Sequence, residues 1–185
     1  MGMPLDRRLT VGWHPKLWRK RGSHVLLCLS NEDEHAWRGL PPPEEYAETI
    51  VRELRRHTDR EIVYRTKPNR QPSRAVSGAV MSDNGRPLAD ELAGAHAMVT
   101  VSGGASVCAL LEGVPAIVLG DGPTMSISSR LLEEIERPRL ASDGEREGVL
   151  NDLAYMQWRI DEFASGQAWH FLRVSFARSL RIRYR

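Results

Sequence analysis

Between Ala97 and Leu119 the chain runs through an apolar stretch, Ala97-Met-Val-Thr-Val101, and a turn of small residues, Ser102-Gly-Gly-Ala-Ser106. A short helical stretch over 107–112 follows, then Gly113 and a second apolar stretch, Pro115-Ala-Ile-Val-Leu119. Strand, turn, helix, strand at this spacing is the pattern of a parallel β–α–β unit. Gly113 stands where a helix end favours a left-handed residue. The same pattern occurs upstream. His24-Val-Leu-Leu-Cys-Leu-Ser30 reads as a buried strand that runs into a polar loop, Asn31-Glu-Asp-Glu34. Tyr46, Ala47, Ile50, Val51 and Leu54 share one face of a helix predicted over 44–57. Pro43 and two glutamates suit that helix's start, and Arg55, Arg56 and His57 suit its end. Glu61-Ile-Val-Tyr-Arg65 reads as a second strand.

The expected fold is therefore α/β: a Rossmann-like three-layer domain with about four parallel strands and a helical C-terminal region. Helices are predicted over 87–95, 128–135, 144–158 and 161–173. A long loop rich in Ser, Gly, Pro and Arg fills 66–86, and loops of that length in compact domains usually serve function. The organisation expected is a lead-in over 1–23 that packs its tryptophans on the rest, one domain over 24–172, and a basic arm over 173–185.

Composition excludes several function classes. The 185 residues hold no run near the roughly 18 apolar positions of a membrane span. The start lacks the apolar core of a secretory signal, so a cytoplasmic protein is expected. Two cysteines, Cys28 and Cys108, sit in apolar runs eighty positions apart; they read as buried small hydrophobes, and no metal site is expected. Six scattered histidines and the lack of a Gly-x-Ser-x-Gly elbow disfavour serine or cysteine hydrolysis. The 26 basic against 24 acidic residues nearly cancel, but their distribution is uneven. Lys16, Arg19, Lys20 and Arg21 cluster near one end beside Trp13 and Trp18. Arg173, Arg178, Arg181, Arg183 and Arg185 crowd the other with no acid after Glu162. Such ends are either solvated arms or a surface for DNA or another anionic partner, and the tail reads equally as helix or strand.

Three groups of residues are candidates for chemistry. Ser102, Gly103, Gly104, Ala105 and Ser106 lead from a strand into a helix, where glycines let a ligand approach and helix amides favour phosphate. Arg65 and Lys67 end the second strand on the same carboxyl edge of the sheet and could neutralise a diphosphate. Asp33, Glu34 and Asp121 lie on edge loops and are the available acids. Trp158 and Trp169 read as core aromatics that seal the last helices, with base or sugar stacking as the alternative.

The run from Thr100 to Gly120, preceded by Arg65-Thr-Lys-Pro68, resembles the donor-binding half of GT-B glycosyltransferases, in particular the capsular-polysaccharide, Kdo-transferase-like group. The stretch 24–172 also resembles small phage and bacterial proteins of that group, through Leu150 to Trp158 and Gly166 to Trp169. The resemblance implies that residues 102–106 hold the phosphate of a nucleotide-sugar donor, with Arg65 and Lys67 beside them. Relatives usually carry Glu-Ala where this chain has Cys108-Ala109, which leaves Glu112, one turn later, to meet a sugar hydroxyl. It implies transfer of the sugar without a metal and without a tightly bound cofactor. A full enzyme of this kind has a second half for the acceptor, and 185 residues leave no room for it. A homo-oligomer or a separate acceptor-binding subunit would then complete the site. The alternative from another class is a non-catalytic protein that contacts nucleic acid or a protein partner through its basic termini.

Overall fold

The computed structural model describes residues 3–19, 22–68, 70, 72–83 and 85–174. A five-stranded, all-parallel sheet in the order β3-β2-β1-β4-β5 forms its centre. The strands are β1 (His24–Cys28), β2 (Glu61–Arg65), β3 (Val80–Met81), β4 (Ala95–Thr100) and β5 (Ala116–Val118). Side chains alternate across the central strand. Val25 and Leu27 pack with Ala47, Ile50, Val51 and Leu54 of α3 (Pro43–Leu54) on one face. Leu26 and Cys28 pack with Leu92 of α4 (Leu88–Leu92) and Ala109 of α5 (Ala105–Glu112) on the other. The result is a three-layer α/β, Rossmann-like arrangement.

Parallel register sets the position of the candidate site. Cys28 is level with Arg65 on one side and Thr100 on the other, so β1, β2 and β4 all end at one edge. The chain winds from β1 toward β2 and β3, and β4 lies on β1's opposite side. That reversal opens a crevice between the carboxyl ends of β1 and β4, the place where open α/β sheets bind ligands.

The structure departs from the sequence expectations at several points. The strands number five because Val80-Met81, inside the expected loop 66–86, pairs with Val63 and Tyr64. Two short helices also stand where none was expected: α1 (Asp6–Thr10) in the lead-in and α2 (Glu32–Trp37) directly after β1. The helix predicted over 128–135 is replaced by short 3-10 turns at Met125–Ile127 and Leu132–Glu134. Its first residues serve the sheet instead: the Val118 amide donates to the Ser129 carbonyl at 2.9 Å, and the Ser129 amide to that of Ala116 at 3.0 Å. An edge strand leaves backbone groups unpaired, and Ser129 satisfies those of β5.

Helix α6 (Asp143–Ala154) starts with a reciprocal cap in which Glu145 donates its amide to Ser142 Oγ and its carboxylate accepts from the Ser142 amide. The helix predicted over 161–173 is divided into α7 (Ile160–Ala164) and α8 (residues 167–174) by Gly166, whose φ of +79° stops the first piece. Trp169 is 69% exposed on α8, so the core role expected of it is incorrect. Trp158 is half-buried, with its indole donating to the Tyr155 carbonyl and its ring against Phe171. Cys108 is exposed on α5, also against expectation, whereas Cys28 is buried. No described helix is long and apolar enough to cross a membrane.

The lead-in packs its tryptophans as expected. Trp13 and Trp18 lie on a cluster of Leu110, Ile127, Ala141 and Leu150, and the Trp18 indole donates to the Ala141 carbonyl at 2.7 Å. Backbone passes so close that a side chain on Gly113 (φ +70°) would put its Cβ 2.1 Å from the Leu17 carbonyl oxygen. Further out, Arg7 forms an ion pair with Glu162 and stacks 4.3 Å from the Trp158 ring centroid. Lys16 pairs with Glu112 and Arg19 donates to the Ala93 carbonyl, so these two cations are engaged within the chain. Lys20 and Arg21 lie outside the described residues. So does the tail from residue 175, with the question of its conformation.

Candidate functional site

A cavity of about 470 Å³ occupies the crevice at the carboxyl ends of β1, β2 and β4. Its floor is apolar, built from Cys28, Leu29 and Leu88, and burial pushes the Cys28 thiol up to about 12, which keeps it a neutral floor group. Its walls bring together six of the eight residues singled out for ligand binding: Arg65, Lys67, Ser102, Gly103, Gly104 and Ala105. Ser30, Glu34, Thr66, Thr100 and Arg86 complete the polar lining.

The turn after β4 explains why this wall is open. Gly103 has φ +92°, a left-handed conformation that L side chains rarely adopt, and it swings the chain from β4 into α5. A Cβ at Gly103 or at Gly104 would meet no atom within 4 Å, so the backbone here faces free space. Ser106 steadies the turn by donating its hydroxyl to the Gly103 carbonyl at 3.1 Å, and Thr100 Oγ1 donates to the Ser102 carbonyl at 2.9 Å. Among the described residues, the amides of Gly103, Gly104, Ala105 and Ser106 donate to no protein acceptor. A helix start leaves four such donors, and the partial positive charge of the helix reinforces them.

Arg65 and Lys67 play different parts. Arg65 is 4% exposed; its Nη1 lies 2.8 Å from Glu91 and 3.4 Å from Ser82 Oγ, and its Nη2 donates to the Arg86 carbonyl at 2.6 Å. Its charge is matched by Glu91, and its donors tie β2 to the loop before α4. Lys67 is half exposed, 3.9 Å from Glu34, and presents its ammonium at the cavity mouth. With Arg65 balanced by Glu91 and Glu34 by Arg38, the remaining positive charge of the lining comes from Lys67 and Arg86.

Of the three candidate acids, only Glu34 lines the cavity. Asp33 is exposed on α2 and Asp121 is exposed on the loop after β5, and neither lines it. Glu34 Oε1 accepts from Ser102 Oγ and from Arg38 Nε at 3.2 Å, and Ser30 Oγ lies 3.5 Å from Ser102 Oγ. Burial pushes the Glu34 carboxyl up, but hydrogen bonds from Ser102, Ser30 and Arg38 outweigh it and hold the group below the ordinary carboxylate range. Glu34 is therefore an anion at neutral pH. Glu112 ends α5 in its pair with Lys16 and does not line the cavity, and the Ser106 side chain is buried in the turn. These two side chains are not where a ligand in this cavity would meet them.

Sequence reasoning missed Ser30 and Arg86. Ser30 was readable in principle: it follows β1 by the same two steps as Ser102 follows β4, once Cys28 is level with Thr100. Arg86 sits before Pro87 in an aperiodic loop, and no pattern marks it. Among the described residues no three His, Cys, Asp or Glu side chains gather as a metal centre would require. No protein-family model and no curated protein matches this chain.

Proposed function

We propose that the protein binds an activated sugar, a sugar carried on a nucleoside phosphate or diphosphate, in the crevice between β1 and β4. Transfer of that sugar to an acceptor is the reaction such a site would serve. The observation that carries the reading is the run of amides from Gly103 to Ala105, free of protein partners and lining the same cavity as Lys67. Amides at a helix start, with a neighbouring ammonium, are suited to phosphate oxygens. In transfer, charge builds on the departing phosphate, and these fixed donors stabilise it without reorganising. Ser30, Ser102 and Glu34 at the other side of the cavity offer hydrogen-bonding groups to a sugar or ribose. The acceptor would be presented by a second subunit or a second copy, since the cavity lies at an edge of the sheet.

The test is thermal denaturation in the presence of UDP-glucose and GDP-mannose. A ligand at one hundred times its Kd adds about 2.7 kcal/mol, which for a domain of this size raises Tm by roughly 5 to 11 °C. Gly104→Val is the control: φ at Gly104 is −70°, within reach of any residue, and the space around it is open. The variant should keep its own Tm and lose the ligand-induced shift, because the side chain fills the approach to the amides. A wild-type Tm that no nucleotide or nucleotide sugar moves, or unchanged binding by a folded Gly104→Val protein, refutes the reading.

A further inference from the structure

We infer that Glu34 sets ligand specificity in the crevice, selecting a phosphate ester that carries free hydroxyls beside its phosphate and rejecting bare phosphate anions. The inference rests on the proposed function and names the part of the ligand that the site reads. Its basis is the disposition of hydrogens around one carboxylate. A serine hydroxyl has one hydrogen to donate. Ser102 gives its hydrogen to Glu34, although Ser102 also adjoins the free amides of the turn. Its oxygen therefore offers only lone pairs to a ligand.

Ser30 extends the same arrangement, with its Oγ 3.5 Å from that of Ser102. The carboxylate is acceptor-only. One end of the cavity is thus lined by acceptors, with the Lys67 ammonium 3.9 Å from Glu34, and the adjoining turn by donors, the amides of residues 103–105. A phosphate fits the donor side and is repelled by the acceptor side. Hydroxyl groups fit the acceptor side. A molecule that satisfies both has hydroxyl-bearing carbons next to its phosphate, as a glycosyl or ribosyl phosphate does. Glu34 is fixed for this task, because Arg38, just past the end of α2, holds Oε1 at 3.2 Å.

Titration calorimetry with two kinds of probe tests the inference: inorganic pyrophosphate, and whichever of UDP-glucose and GDP-mannose stabilises the protein more. Glu34→Gln keeps the shape of the side chain, removes its charge and gives it two donor hydrogens. Pyrophosphate should then bind about 10-fold more tightly, and the nucleotide sugar about 10-fold more weakly, as a charged hydrogen-bond acceptor exceeds a neutral one by that order. The opposite signs are the signature. A Glu34 that only braces α2 would shift both affinities together or neither, and either result overturns the inference. So does a wild-type protein that binds pyrophosphate as tightly as the nucleotide sugar. If Gly104→Val abolishes binding of both probes while Glu34→Gln changes neither, the phosphate cradle stands and this inference alone falls. If neither probe binds wild type, both fall.

Discussion

Replacing Arg65 by Ala separates a residue that builds the crevice from one that merely lines it. The guanidinium is 4% exposed and sits 2.8 Å from Glu91, whose side chain is 11% exposed. Truncation leaves Glu91 as a buried carboxylate with Ser82 as its remaining hydrogen-bond donor, and strips the Arg86 carbonyl of its partner. Breaking one side of such a buried pair costs about 3 to 5 kcal/mol. Domains hold roughly 5 to 15 kcal/mol in all, and at this length each kcal/mol moves Tm by about 2 to 4 °C. Arg65→Ala should therefore melt roughly 6 to 20 °C below wild type, with a matching fall in the urea midpoint followed by circular dichroism. The double variant Arg65→Met, Glu91→Leu should recover at least half of the loss, because no uncompensated charge remains and the apolar groups fill similar volume. If Arg65→Ala unfolds within about 1 kcal/mol of wild type, the guanidinium is not a structural tie. A double variant no better than the single one would show that the charge imbalance was not the cause.

Acid should loosen the join between α1 and α7. The Arg7 guanidinium pulls the Glu162 carboxyl down to about 2 from an ordinary 4.5, so the pair stabilises the fold fully above the ordinary value and progressively less as pH falls toward 2. Urea midpoints of wild type and Glu162→Gln should differ above pH 5 and converge near pH 2; parallel curves across that range would contradict this. Trp169→Ala should cost less than about 1 kcal/mol, as expected for a side chain in solvent. Trp158→Ala, which loses its contacts with Phe171 and Arg7, should cost about 2 to 3 kcal/mol. Equal Tm losses for the two tryptophans would be inconsistent with their different burial.

Four of the five strands were legible because each is a continuous apolar run bounded by turn residues. Val80-Met81 was not, since two residues carry no period and become a strand only by lying level with Val63 and Tyr64. Around Leu131, Leu132 and Ile135 the spacing suits a helix, but the demand of β5 for a partner on its open edge acts through backbone and leaves no mark on residue types. At the crevice, the glycine turn was readable from local chemistry alone. The division between Arg65 and Lys67 was not, because the partner that binds Arg65 lies on α4, twenty-six positions along the chain. Glu34 was one of several acids in a polar run until α2 and the strand register set it opposite Ser102. Trp169 shows the converse error: an aromatic among apolar neighbours lies outside because Gly166 turns the last helix.

The ties between Arg7 and Glu162 and between Arg8 and Asn151 join segments about 150 positions apart. On the ribosome, the first helix emerges with none of these partners yet made, and its arginines stay hydrated until residues 151–162 have cleared the exit tunnel. Loops of that span close slowly, because their entropy must be spent before the contacts return it. The sheet from β1 to β5 can form meanwhile from nearer contacts, so joining of these two segments follows formation of the sheet. Until then the cluster of Leu110, Ile127 and Ala141 lacks Leu150. A nascent chain stalled before residue 150 would therefore display that apolar surface to chaperones, and emergence of residues 150–162 would withdraw it.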